Sequence, residues 1–190
     1  MTYRIGFFVG LVASVIFAIV VILLVCSMMN KDGKIKSKYD ERQMIVRGNA
    51  YRISMWTLIV LLIIYGICET SGIDIPMENN AIIFLFILLA VLVHAIYCIF
   101  NDGYFGINNI PKAYNIFLFL IGLMNVAIGV MNTVQGRLVE DGKLSMPIMN
   151  YICGFMFLIV GIAILIKHFM NKSNVKEDDE EDEEDMEGRV

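Results

Sequence analysis

Stretches without a charged residue alternate with charged connections along this chain. Five runs contain no Asp, Glu, Lys or Arg: residues 5–29, 53–68, 79–100, 113–136 and 144–166. A soluble helix needs a polar face, and about 20 apolar residues cross the hydrocarbon layer of a bilayer. The pattern therefore predicts an all-α polytopic membrane helical bundle of five transmembrane helices. We expect the spans at about residues 5–29, 50–69, 79–100, 113–134 and 147–168.

The composition agrees with this fold class. Hydrophobic residues make up 58% of the 190 positions and charged residues only 18%, which excludes an ordinary soluble domain. Four cysteines are too few for a disulfide-stapled secreted domain. A bridge between Cys68 and Cys153 on the outer side is conceivable, and buried free thiols are the commoner arrangement.

The basic residues predict an orientation. With five spans, one side of the membrane receives three basic residues and the other twelve, seven of them in the loop at residues 30–52. The positive-inside rule assigns the richer side to the cytoplasm, so we expect the N-terminus outside and the C-terminus inside. Cleaving the first span as a signal peptide would move the basic loop outside, and its 25-residue run exceeds a signal-peptide core of about 7–15 residues.

Two regions of different character follow from these patterns. Residues 1–170 should form the transmembrane domain, with the basic cytoplasmic loop at 30–52. Residues 171–190 should form a cytoplasmic tail, because nine acidic residues in succession at 177–185 repel one another and favour disorder.

The two charged segments are candidate docking surfaces. Bases beside the inner leaflet attract anionic lipid, and either segment could contact a cytoplasmic protein partner or a second copy of the chain; we expect no nucleic-acid partner. The alternatives are a topology anchor and a solvated tail. The candidate docking residues are Lys34, Lys36, Lys38, Arg42, Arg47, Glu177, Asp178, Asp179 and Glu180.

Polar residues inside the spans permit a second hypothesis. Asn115, Asn125 and Asn132 share one face of the fourth span with two glycines, and this face is either a packing seam or a polar path. His94 lies within the third span, where an ionisable residue is a functional candidate; a neutral, hydrogen-bonded imidazole is the structural alternative. The resulting alternative function is a small transporter or channel subunit.

Catalytic and cofactor signatures are absent from the sequence. It contains no Gly-rich phosphate loop, no His-Glu-x-x-His zinc helix and no nucleophile elbow. Haem ligation by His94 and His168 is disfavoured, since His168 falls at the membrane edge. We therefore expect a protein that is not an enzyme and holds no cofactor or metal.

Helix signals appear in the connections. Ser37 and Asp40 have capping-box spacing, which predicts a helix that starts near Ser37 and runs into the second span. Asn108 and Asn109 before Pro111, and Ser145 before Pro147, are typical of helix starts. Asp102 followed by Gly103 predicts a tight turn after the third span.

Several of these short motifs carry a family resemblance. Asp40-Glu41-Arg42-Gln43, followed by Arg47-Gly48-Asn49-Ala50, and later Asp102-Gly103-Tyr104-Phe105-Gly106 with Asn109 and Pro111, resemble small uncharacterised multi-span membrane proteins of low-GC Gram-positive bacteria. The resemblance covers roughly residues 38–115. It implies a multi-pass protein of the bacterial plasma membrane and no catalytic residue.

Overall fold

Helices make up almost all of the regular structure. The computed structural model describes residues 12, 16, 19–34 and 36–187, with side chains to residue 172. Five helices lie in this part of the chain: α1 (Ile19–Met28), α2 (Glu41–Thr70), α3 (Asn79–Phe100), α4 (Pro111–Val134) and α5 (Met149–Glu187). Two short strands, β1 (Val139–Glu140) and β2 (Lys143–Leu144), and a 3-10 turn (Met146–Ile148) precede α5. The all-α prediction is confirmed.

Four segments are long and apolar enough to cross a membrane: α2, α3, α4 and Met146–Lys172. Their outward surfaces carry large apolar side chains, among them Trp56, Ile63, Leu123 and Phe155, as lipid contact requires. The described part of α1 is shorter. The earlier part of the predicted first span, including most of residues 5–18, lies outside the described residues.

The helices pack in the order α2, α3, α5, α4. Helix α3 contacts α2 on one side and α5 on the other, and α5 contacts α4. Glycines allow α4 and α5 to approach closely, because a Cβ atom at Gly154 would lie 2.7 Å from Cγ2 of Val126 and 3.0 Å from the carbonyl oxygen of Gly122. Small residues at such seams are the usual means of helix association in lipid.

The connections divide between the two ends of the bundle. Residues 29–34, 36–40 and 101–110 lie at one end, where Lys167 of α5 forms an ion pair of 3.2 Å with Asp102. The chain beyond Lys167 therefore leaves the bundle at the end that carries the basic loop, whereas residues 71–78 and 135–148 lie at the other. Which end faces the cytoplasm stays a prediction.

A β-hairpin at that other end was not expected from the sequence. Strands β1 and β2 pair antiparallel around Asp141 and Gly142, which have φ of 50° and 78°, as a two-residue hairpin turn requires. The amide of Glu78 donates to the carbonyl of Leu144 at 2.9 Å, so the hairpin is attached to the start of α3.

Two of the predicted helix caps need correction, and the third is confirmed in position. Asp40, not Ser37, caps α2, because its carboxylate accepts from the Gln43 amide at 2.6 Å and the Gln43 side chain accepts from the Asp40 amide in return. Ile110 is the N-cap of α4 with Pro111 in the first turn. Ser145 is the N-cap of the 3-10 turn that leads into α5, with Pro147 in the first positions as predicted, although its hydroxyl donates to the Arg137 carbonyl and forms no capping hydrogen bond.

The predicted turn at Asp102 is confirmed, and Asp102 itself has a φ of 60°. At the far end of the chain, helix α5 extends to Glu187, while the side chains beyond residue 172 lie outside the described ones. Disorder of residues 171–190 stays a prediction.

Candidate functional site: the loop cap

Two loops that are distant in sequence join to form a single structure at one end of the bundle. We call it the loop cap and define it as residues 29–34, 36–40 and 101–110. Main-chain hydrogen bonds hold the loops together, from the Lys31 amide to the Asn108 carbonyl at 2.7 Å and from the Ile107 amide to the Lys38 carbonyl at 2.8 Å. Paired main-chain groups fix the loops relative to each other.

Asn109 is the most connected side chain of the loop cap. It is only 3% exposed, and its Oδ1 accepts from the Gly106 amide. Its Nδ2 faces Oδ1 of Asn30, the hydroxyl of Ser37 at 2.9 Å and the hydroxyl of Tyr114 at 3.3 Å. One buried amide therefore ties both loops to α4, which explains why it does not cap that helix.

Asn108 performs the same task one residue earlier. Its Oδ1 accepts from the Lys38 amide at 2.8 Å, and its Nδ2 donates to the Lys36 carbonyl at 3.1 Å and to Asp32 Oδ1 at 3.0 Å. The hydrogen bond from Asn108 is the main cause that holds the pKa of Asp32 below its ordinary value of 3.8.

Helix α2 is attached to the loop cap through two side chains. Gln43 Nε2 donates to the carbonyls of Asp102 at 3.1 Å and Phe105 at 3.0 Å. The Arg47 guanidinium lies 4.2 Å from the ring centroid of Tyr39, a distance at which a cation attracts the face of the ring. The structure thus brings residues 39–47 into contact with residues 102–105.

Two glycines make this close approach possible. A Cβ atom at Gly103 would lie 2.6 Å from Cγ1 of Val46, and one at Gly106 would lie 2.5 Å from the Lys38 carbonyl oxygen. Any larger residue would push the second loop away from α2 and from the first loop.

The predicted basic docking residues fall into two groups. Lys38 pairs with Asp32 at 3.5 Å, and Arg47 is half-buried on Tyr39, so both contribute to the loop cap itself. The others are exposed and form no ion pair within the part of the chain that the structure describes: Lys34, Lys36 and Arg42. The acidic candidates lie beyond the described side chains: Glu177, Asp178, Asp179 and Glu180.

Another cap residue, Tyr104, lies against the apolar end of the bundle. It packs on the core formed by α3, α4 and α5. Burial raises the pKa of its phenol to about 12 from an ordinary value of 10.0, so the hydroxyl stays protonated at neutral pH.

The intramembrane candidates lie at different helix contacts. His94 of α3 faces α2, with its ring centroid 4.3 Å from that of Tyr51 and its Nε2 3.7 Å from Sγ of Cys98; its Nδ1 has no hydrogen-bond partner among the described residues. On α4, the Asn125 amide donates to the Ile121 carbonyl of its own helix at 2.9 Å.

The remaining asparagines of α4 lie at its two ends. Asn132 is half-buried in the last turns, and Asn115 is near the loop cap with its Oδ1 buried and unpartnered among the described residues. His94 lies at the α2–α3 contact, away from the seam where the α4 glycines meet α5. His168 is exposed at the end of the last span, beside Phe169.

Comparisons with known proteins add no family assignment. No protein-family model, curated protein or solved structure matches this chain. The described residues contain no group of three His, Cys, Asp or Glu side chains that could hold a metal ion, and all four cysteines are free thiols.

Sequence reasoning identified the exposed bases and missed the framework that holds them. No sequence motif points to Asn30 or Tyr114, although both contact Asn109. The available signal was the pair Asn108 and Asn109 in a short connection, since two adjacent amides with several donors and acceptors each are suited to joining loops as well as to capping a helix.

Proposed function

We propose that this chain is a non-catalytic accessory subunit of a bacterial plasma membrane, with five spans, the N-terminus outside and the C-terminus in the cytoplasm. In this proposal the loop cap docks the acidic surface of a cytoplasmic protein. A second copy of the chain, through its acidic tail, is the other partner that the same surface would accept.

One observation carries the proposal. Lys34 and Lys36 on the loop cap and Arg42 beside it are held by a framework of paired main-chain groups and buried amides, and none of the three forms an ion pair with a described carboxylate. A rigid frame reduces the entropy lost on binding, and exposed charges of one sign speed the encounter with a surface of the opposite sign. Attraction of these bases to anionic lipid would not require them to be held in a fixed arrangement.

The acidic tail has a place in this proposal. The chain leaves α5 at the end of the bundle where the loop cap lies, and the tail then carries nine consecutive acids. It would compete with an acidic partner for the loop cap, and both contacts would weaken as salt shortens the Debye length from about 10 Å at 0.1 M.

Photo-crosslinking in intact cells tests the docking. A photoreactive residue at Lys36 should capture a defined protein, and reversing Lys34, Lys36 and Arg42 to Glu should weaken that complex about tenfold or more, since each surface pair contributes up to about 1 kcal/mol. Deleting residues 177–190 should strengthen capture of an acidic partner or abolish capture of a second copy.

A matched control comes from the opposite end of the bundle. Arg137 is exposed there, so the same photoreactive residue at position 137 and the change Arg137→Glu should leave the complex unaltered. The same captured proteins at positions 36 and 137, or an unaltered partner list after charge reversal, would refute docking through the loop cap.

The orientation is tested separately. A membrane-impermeant thiol reagent applied to intact cells should label a cysteine placed at Asp141 and should not label one placed at Lys36. Labelling of position 36 from outside would overturn the proposed orientation and, with it, a cytoplasmic partner.

A further inference from the structure

A groove of about 710 Å³ opens beside the loop cap, between the first turns of α4 and the last apolar turns of α5. Its rim is polar and includes Lys112, Lys167 and His168, whereas Ile164 and Leu165 line it further in. The exposed bases Lys34, Lys36 and Arg42 do not line this groove.

The polar and apolar parts of the groove are ordered by depth. Helices α4 and α5 run in opposite directions, so Lys112 near the start of α4 and Lys167 near the end of the apolar part of α5 lie at the same level. Asn115 and Ile164 each lie three residues further from the loop cap, which is about 4.5 Å deeper at 1.5 Å per residue. The α5 side of the groove therefore changes from charged at Lys167 to apolar at Ile164 within one helical turn.

The charges at the rim favour an anion. Lys112 is exposed and forms no ion pair among the described residues. Lys167 is bound to Asp102 at 3.2 Å and to the Phe100 carbonyl at 3.1 Å, so that carboxylate offsets one of the two lysines. The N-terminus of α4, which carries a partial positive charge, opens at the same rim.

We propose that this groove binds one anionic glycerophospholipid of the adjoining leaflet. Its phosphate would lie against Lys112 and the start of α4, and one acyl chain would lie along Leu165. Asn115 is at the depth of the glycerol and ester groups, where its side-chain NH2 group can donate to an ester carbonyl oxygen. A soluble anion would leave the apolar depth of the groove empty, and a zwitterionic lipid would bring its own cation towards Lys112.

Lipid titration of the purified full-length protein, followed by native mass spectrometry, tests the proposal. Phosphatidylglycerol should bind about tenfold more tightly than phosphatidylcholine with the same chains, the difference of one charge-assisted contact. Lys112→Glu should abolish most of that preference. Lys172→Glu is the matched control, because Lys172 is exposed at the same end of the bundle and does not line the groove.

Two outcomes of the titration would overturn the proposal. One is equal affinity for the two lipids. The other is an equal loss of phosphatidylglycerol binding in Lys112→Glu and Lys172→Glu, which would indicate general attraction to the surface instead of a site.

Fluorescence quenching provides a second, independent measurement. The chain has one tryptophan, Trp56, which is 62% exposed on α2 and contacts bulk lipid. In the double variant Trp56→Phe, Leu165→Trp, the new indole lies beside the groove. Phosphatidylglycerol with brominated chains, diluted in phosphatidylcholine, should quench it at a lower mole fraction than it quenches Trp56. Identical quenching curves would refute a specific site.

Discussion

Replacing Asn109 by Leu should release the two loops of the loop cap from each other. The change keeps the branching at Cγ and the number of heavy atoms, and it removes every hydrogen bond of the amide. The Gly106 amide and Asn30 Oδ1 then lose a partner, and both residues are buried, with Asn30 only 4% exposed. A buried group without a partner costs about 1–3 kcal/mol, so the local stability of the loop cap should fall by at least about 2 kcal/mol.

Hydrogen exchange measures the opening directly. The amides of Lys31 and Ile107, which bridge the two loops, should exchange at least about 30-fold faster in Asn109→Leu, because local opening sets the exchange rate and 1.4 kcal/mol corresponds to about tenfold. Asn80→Asp, an exposed site at the opposite end, should leave both rates unchanged. If the protection of these amides in Asn109→Leu equals that of the unaltered chain, the loop cap is not held by this side chain.

Three further predictions concern packing and pH. Gly154→Ala should destabilise the bundle by about 1–3 kcal/mol through overpacking, as measured by unfolding in detergent. Gly66→Ala should not destabilise it, because a Cβ atom at Gly66 would have no neighbour within 4 Å. The phenol of Tyr104 has a pKa of about 12 in the folded protein against an ordinary value of 10.0, so it loses its proton first in the unfolded state as pH rises. The free energy of unfolding should therefore fall by about 2 kcal/mol between pH 10 and 12. Tyr104→Phe should remove this dependence of the unfolding free energy on pH. Asp32 has a pKa below 3.8 in the folded protein, so its contribution to the stability of the fold is present above pH 3.8 and is lost as pH falls below that value. The midpoint of thermal unfolding should fall over this pH range, and the fall should be smaller in Asp32→Asn.

Charge-free runs predicted the membrane helices well, because a helix in lipid must be apolar on every outward face. The run at 79–100 coincides with α3. The start of α2 was harder to predict, because Asp40 and Ser37 are both residues that can cap a helix. In the structure the Ser37 hydroxyl accepts a hydrogen bond from Asn109, which lies 72 residues away in sequence, and this leaves Asp40 as the cap.

The loop cap could not be predicted either, because its hydrogen bonds also join residues that are distant in sequence. Asn108 and Asn109 have local roles available to them as caps, and only contacts with residues 30–38 assign them to a different task. The exposed bases Lys34, Lys36 and Arg42 were easier to predict, since their charge alone identifies them as candidate docking residues. Arg47 has the same charge, and its position on Tyr39 shows that composition cannot separate a docking side chain from one that stabilises the frame.

The loop cap and the groove are not independent surfaces. Gln43, Asp102 and Phe105 line the groove, and the first of them donates to the carbonyls of the other two. A lipid that fixes Asp102 and Phe105 would also reduce the freedom of the loop that contacts residues 30–38. A partner bound at the loop cap would order the same residues from the other side. Binding of either should then strengthen binding of the other by the same factor, since such coupling is reciprocal, and Gln43→Ala, which removes the shared contact, should lower that factor towards one.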